Sequence, residues 1–577
     1  MGIRRQQRPA GLGGLAGGRR PAAAGRLAHL ASGRYFVKPG NSIRRDATPG
    51  LRQSMSSLHT WVALLLGWVL YAMFLTGTVS YFREEISQWM RPELAPQVHA
   101  PDLALAAQRV ADELKTMVPD SPQWSLMLPD ARSNSVYAFW RTKRGPGGRF
   151  EDGRFDPATG KAIDARDTLG GDFFYRFHFQ FYYLPIVWGR LLAGLAAMFM
   201  LVAIISGIIT HKKIFIDFFT FRWGKGQRSW LDAHNALSVF GLPFHLMITY
   251  TGLVTLMALY MPWGQQLAIH TPTERQQLRA ELSAFLQPDK ATGQAHALAS
   301  IEDMVRQAQA RWGSGNIATV TVTNPNDAAS RVSISRGEEG RVSMSPQYLL
   351  FEGSSGKLLE THDHVGPAAE TRGVLYALHL GRFSDTATRW LYFLVSLAGT
   401  AMVGTGLVLW TVKRRQKLPD PDRPYFGLRL VEKLNIASIA GLSIAMAAFL
   451  WGNRLLPVGL PDRASSEIQV FFVVWATALV HAMLRPSKAA WVEQLWTATA
   501  LLALLPVLNA LTTSRPLWHS LANGDWVFAG MDLTCWALAA LHAVLAVRTA
   551  RHTRRVRPAV AKSESRRAAA DPAPGEA

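Results

Sequence analysis

Apolar residues in this chain gather in long runs separated by polar stretches, unlike the short periodic patterns of a soluble domain. The runs Trp61 to Phe82, Ile186 to Thr210, Leu237 to Leu259, Trp390 to Val412, Ile436 to Leu455, Ile468 to Leu484, Trp491 to Leu511 and Val527 to Val547 are each long enough, as helices, to cross roughly 30 Å of hydrocarbon. The pattern predicts a polytopic all-α membrane protein of about eight spans, with two long polar inserts after the first and third. Within each insert a helix-like segment, Leu103 to Met117 and Ala297 to Trp312, precedes alternating strand-like residues, Val136 to Trp140 and Thr319 to Thr323. The inserts are therefore expected to be small α+β domains.

The expected organisation is a basic tail (1–57), span 1 (58–82), insert 1 (83–185), span 2 (186–210), span 3 (234–259), insert 2 (260–385) and span 4 (386–412). A four-span bundle (435–548) and a second basic tail (549–577) follow.

Charge supplies an orientation. Residues 1–52 hold eleven Arg or Lys against one acid, and residues 548–577 hold eight against three. The loops Lys212 to Asp232, Lys413 to Lys433 and Arg485 to Lys488 are also basic, whereas the two inserts each come to about one net negative charge. If every span crosses once, the five basic segments share one side, which predicts cytoplasmic termini and periplasmic inserts of a bacterial inner membrane. The net charge of +21 is then a topology signal. Nucleic-acid binding does not fit, because the arginines lie in tails and juxtamembrane loops without an aromatic platform; contact with anionic lipid does. The first apolar run has no small-residue cleavage site and reads as a retained span. Cys535 is the only cysteine, so no disulfide, CxxC pair or thiolate-held cluster is available.

The first 412 residues contain a duplication. His59 is followed seventeen residues later by Thr76-Gly77, and His234 seventeen residues later by Thr251-Gly252. His178 precedes a span ending in Ser206-Gly207, and His379 precedes one ending in Thr405-Gly406. Both inserts carry a turn between apolar residues, Phe155 to Ile163 and Phe351 to Leu359, in which Gly160 and Gly356 supply the positive φ of a tight hairpin. The repeat unit is span, α+β domain, span. The last four spans do not repeat it.

These features resemble the PepSY-associated transmembrane family over residues 55–415. The Asp156-Pro157-Ala158-Thr159-Gly160-Lys161 hairpin is similar to that of a PepSY domain, and Leu58-His59-Thr60-Trp61 resembles the family's first span. Leu231-Asp232-Ala233-His234-Asn235 with Pro243-Phe244-His245 resembles its third. Better understood members of the family are similar to ferric-siderophore reductases of Gram-negative inner membranes. The resemblance therefore implies b-type haem held between histidines and a ferric siderophore or another periplasmic electron acceptor; the histidine placement below suggests two haems, and the lack of an NAD(P)H site a quinol or cytosolic reductase as donor.

A b-type haem needs two facing imidazoles, and histidine inside a membrane is costly without a partner. Six histidines are candidates: His59, His178, His211, His234, His245 and His379. On an ideal helix His234 and His245 lie about 20° from one face and about 16 Å apart, so one straight helix would serve two stacked haems. His245 is the strongest candidate; packing behind a Pro243 kink is its bland alternative. His59 is the repeat equivalent of His234, and His178 that of His379, whereas Leu70 replaces His245 in the first repeat. A haem between two of His59, His211 and His234 is expected on the cytoplasmic side, and one between His178 and His379, or one of these and His245, on the other. Arg190 and Arg382 are candidates for propionates or for interfacial snorkelling. His481, His519 and His542 read as structural, and His362-x-His364 as a solvated loop. The aromatic stretch Phe173 to Tyr183 marks a membrane interface.

There is no Walker loop, HExxH or nucleophile elbow, and Gly11 to Gly14 lies in a basic tail with no preceding strand, so NAD(P)H has no recognisable site. Two other classes compete with an electron conduit. One is a binding or regulatory protein whose inserts sense periplasmic partners. The other is a transporter, which the repeats suggest, but these are not inverted and lack obvious broken helices with a charged midplane site.

Overall fold

In the computed structural model, residues 50–95, 101–143, 147–211, 218–283, 289–313 and 316–552 are described; the tails before and after these, with Gly11 to Gly14, lie outside the described residues. Helix α1 (Leu51–Ser80) leads through α2 (Arg83–Trp89) into the first insert. That insert comprises α3 (Leu103–Met117), strands β1 (Gln123–Met127), β2 (Val136–Arg141), β3 (Phe150–Phe155) and β4 (Ala162–Ile163), and α4 (Asp172–Gln180). Helix α5 (Ile186–Thr210) closes the unit. The second unit runs through α6 (Gln227–Phe240), α7 (Leu242–Thr255), α8 (Ile301–Trp312), β5 (Ile317–Thr323), β6 (Arg331–Arg336), β7 (Tyr348–Glu352), β8 (Leu358–His362), α9 (Pro367–Leu380) and α10 (Thr386–Arg415). The bundle is α11 (Phe426–Leu455), α12 (Arg463–Leu484), α13 (Ser487–Thr512) and α14 (Trp526–Arg551).

Helices α1, α5, α10, α11, α12, α13 and α14 are long and apolar enough to cross a membrane; α6 and α7 together make the eighth candidate span. That span corrects the expectation of one straight helix over 234–259, because α6 and α7 meet at an angle of 69°. The cause is local. Pro243 has no N–H to give to the carbonyl four residues back, and the His245 ring folds over Gly241, where a Cβ would stand 2.4 Å from it. His234 and His245 therefore belong to different helices.

In the core, α1 packs on α5, and α6 on α10, within their own repeats, while α1 against α10 and α5 against α7 join the repeats. The inserts do not form two separate domains as the sequence suggested. Their sheets join edge to edge into one eight-stranded antiparallel sheet of order β4-β3-β2-β1-β5-β6-β7-β8. The seam is the β1–β5 ladder, with Ser125 opposite Thr321 and Leu126 opposite Val320. Pairing closes an edge that each four-stranded half would leave open. Alternate residues then divide the faces: Trp124, Leu126, Val320 and Val322 point into a shared core with Val110 of α3 and Val305 of α8, and Ser125, Thr319 and Thr321 point the other way. Asp102 and Ser300 cap α3 and α8 through their side-chain oxygens. Both hairpin glycines have the expected conformation, Gly160 and Gly356 each at φ +73°.

The bundle packs against the first repeat. Phe173, Phe174 and Phe177 of α4 enter an apolar cluster with Phe449 and Phe471. Beside it a fully buried ion pair, Arg463 to Glu467, is completed by Asn453 and by Thr168 from the first insert.

Candidate functional site

Four of the six histidines obey one rule. Each lays its ring on the glycine of a Thr-Gly or Ser-Gly step in the other helix of its own repeat. A Cβ at Gly77 would stand 2.7 Å from His178, at Gly252 2.8 Å from His379, at Gly406 3.1 Å from His234 and at Gly207 3.4 Å from His59. At Gly77 and Gly252 the ring occupies the space of a side chain, at Gly406 a Cβ would be tight, and at Gly207 it would make an ordinary contact. In each case Nδ1 donates to the carbonyl four residues before that glycine: His178 to Met73 at 2.7 Å, His59 to Ala203 at 2.8 Å, His234 to Met402 at 2.9 Å and His379 to Ile248 at 3.0 Å. A proton held on Nδ1 leaves the Nε2 lone pair available, the arrangement that orients an imidazole ligand toward a metal. Among the described residues no hydrogen bond is made by Nε2 of these four rings.

The pairs form across the repeats. His59 faces its equivalent His234 with ring centroids 6.2 Å apart and planes at 70°. His178 faces its equivalent His379, also at 6.2 Å, with planes at 28°. With Nδ1 held by a carbonyl, His59 and His234, and His178 and His379, would hold an iron through Nε2. The donor set and the glycine cradles fit a bis-imidazole haem, and among the described residues no cluster of three or more metal-ligating residues competes with them.

The other two candidates stand apart. His211 accepts a 3.0 Å hydrogen bond at Nε2 from the Asn235 amide, and so braces the start of the second repeat. His245 is buried, with Nε2 3.4 Å from the Val395 carbonyl and Phe74 and Phe244 as aromatic neighbours; among the described residues no histidine ring faces it. Arg190 donates to Gln180 and lies over Phe179, whereas Arg382 lines a cavity beside His178 and His379. His481 is bonded to Glu493, and His362 stacks on Tyr348.

A cavity of about 1320 Å³ lies between the polar face of the sheet and the helix ends. Ser125, Thr319, Thr321 and Ser333 contribute from the sheet, and His178, His379 and their cradle glycines Gly77 and Gly252 from the helices. Eight arginines and six acids line it, so it carries an excess of positive charge. Glu85 clamps its border by pairing with Arg132 at 2.7 Å and Arg389 at 2.9 Å. Burial, with the neighbouring Arg336, lowers the pKa of Arg341 from its ordinary value.

The sequence contained the glycines only as markers of the repeat. Their constant spacing from the histidines was the available signal; the exchange of ring and glycine between antiparallel helices was not visible along one helix.

Residues 56–413 match the family model described as the PepSY-associated TM region. An uncharacterized protein of Pseudomonas aeruginosa is 28% identical over 394 residues, which cover 63% of this chain and 92% of that relative.

Proposed function

The chain belongs to the PepSY-associated TM region family, and on that premise we propose that it is a b-haem protein of the bacterial inner membrane. It carries electrons from the cytoplasmic side to a periplasmic acceptor. The observation that carries this reading is the pair of equivalent histidine couples, His59 with His234 and His178 with His379, each at 6.2 Å.

The positive-inside asymmetry supports basic loops on the cytoplasmic side and the sheet in the periplasm. On α1, His59 and Met73, whose carbonyl holds His178, are separated by about 21 Å of helix rise, so the two couples sit toward opposite faces of the hydrocarbon. Haem, when bound, supplies reversible one-electron chemistry. The chain's own part is to hold each imidazole by its Nδ1 proton, to keep the glycine faces clear, and to seal the helices around the couples. The basic, hydroxyl-rich cavity opens directly over His178 and His379 and suits an anionic ferric chelate. Reduction of a ferric siderophore, with release of ferrous iron for import, is the leading reaction. Without a dinucleotide-binding motif in the chain, the donor is a quinol or a separate cytosolic reductase.

Purified protein in detergent is expected to show a dithionite-reducible Soret band and two haem b per chain by the pyridine haemochrome assay. The reduced protein should be reoxidised by a ferric siderophore. A colourless preparation that elutes as a folded monodisperse species would overturn the proposal and favour a sensory role.

A further inference from the structure

At the opposite end from the sheet, a second cavity of about 910 Å³ lies among the start of α1 and the ends of α5 and α10. Arg52, Lys413, Arg414 and Lys417 line it with the hydroxyls of Ser56 and Thr60; among the described residues no Asp or Glu does. Four cations meeting without a counter-charge repel one another and call for an anion. Residues 1–49, which precede the cavity in sequence, hold ten Arg or Lys and one acid. The start of the 30-residue helix α1, which has no side-chain cap, lies at the same cavity.

A second observation says what the anion is attached to. Directly below the cavity α1 exposes Leu58, Trp61 and Leu65, at 39%, 53% and 64% of their surface, on one stripe of a membrane-spanning helix. Trp61 itself lines the cavity, and Arg414 lies over its ring at 5.6 Å and over Trp410 at 3.7 Å. The basic rim, an interfacial tryptophan and an apolar stripe thus follow one another in the order of headgroup, glycerol and acyl chain.

We propose that this cavity is a binding site for the headgroup of one anionic phospholipid, whose acyl chains lie along the Leu58, Trp61 and Leu65 stripe. The inference is independent of haem. The lipid bridges the first and fourth core spans, and so ties together the ends of two helices from different repeats.

The test uses the full chain in detergent, titrated with phosphatidylglycerol, phosphatidylcholine or inorganic phosphate, with binding read by native mass spectrometry and by the thermal midpoint. Phosphatidylglycerol should bind at one saturable site and raise the midpoint, with phosphatidylcholine and phosphate inert. Lys413→Gln with Lys417→Gln should weaken that binding about thirty-fold, the loss expected for two cations at a membrane surface, while Lys413→Arg with Lys417→Arg should retain it. Equal binding of phosphatidylcholine, a phosphate effect matching that of the lipid, or unchanged affinity in the glutamine variant would each overturn the proposal. Because Lys413 and Lys417 make no ion pair among the described residues and lie at the end of α10, the variants should elute as the parent does.

Discussion

His178 lies on Gly77 so closely that a Cβ at that position would stand 2.7 Å from the imidazole, while the Met73 carbonyl one turn earlier holds its Nδ1. The histidine position is therefore set by the absence of a side chain on a different helix.

Gly77→Ala is expected to displace that ring and to lower the haem content from two per chain toward one. Alanine by itself favours a helix over glycine by about 1 kcal/mol, so haem loss without loss of helical signal would point to the cradle. Full haem content in this variant would mean that the close approach has no functional weight.

Replacing one histidine at a time separates the couples. His59→Ala and His379→Ala should each leave one haem, with different midpoint potentials remaining. His245→Leu should leave both and cost about 1 kcal/mol of stability, since only a long hydrogen bond to Val395 is lost. Loss of one haem in His245→Leu would bring His245 back into the ligand set, where its depth in the third span had placed it.

The seam of the sheet is testable by cross-linking. Ser125 and Thr321 are register partners with side-chain oxygens 3.3 Å apart, close enough for a disulfide after Ser125→Cys and Thr321→Cys. With a protease site introduced at exposed Gly224, the cut, oxidised chain should stay joined on non-reducing gels and separate with reductant. Cys535 is buried and should not compete. Separation without reductant would show that β1 and β5 are not neighbours.

Glu467→Ala leaves Arg463, which has no exposed surface, without its carboxylate partner. Breaking a buried pair from one side costs about 3–5 kcal/mol, so the thermal midpoint should fall sharply. Since Glu467 also accepts from Thr168, the first insert should become more protease-sensitive. An unchanged midpoint would argue that the bundle and the first repeat are not coupled through this pair.

Much of the architecture was legible in the residues. The apolar runs gave the eight candidate spans because crossing a bilayer demands length and hydropathy from contiguous sequence, and Gly160 and Gly356 marked their hairpins because a positive φ is a local property. The seventeen-residue spacing of His59 from Thr76-Gly77 and of His234 from Thr251-Gly252 exposed the duplication for the same reason. The ideal-helix estimate carried straight through Gly241 and Pro243, and the sequence offered a Pro243 kink only as the alternative reading of His245; periodicity alone did not give the 69° break.

Partner choice belonged to the tertiary structure. The six histidines offered several combinations, and the packing of α1 against α10 and α5 against α7 selected two, bringing His59 to His234 and His178 to His379 and leaving His245 with no histidine ring facing it among the described residues. The fusion of the two sheets was equally hidden, because an edge strand offers backbone groups to any neighbour and its side chains do not name the partner. Sequence determined what each segment is, since length, hydropathy, charge and turn geometry are carried by neighbouring residues. Only the fold decided which segments meet, since that depends on surfaces more than a hundred residues apart coming together at once.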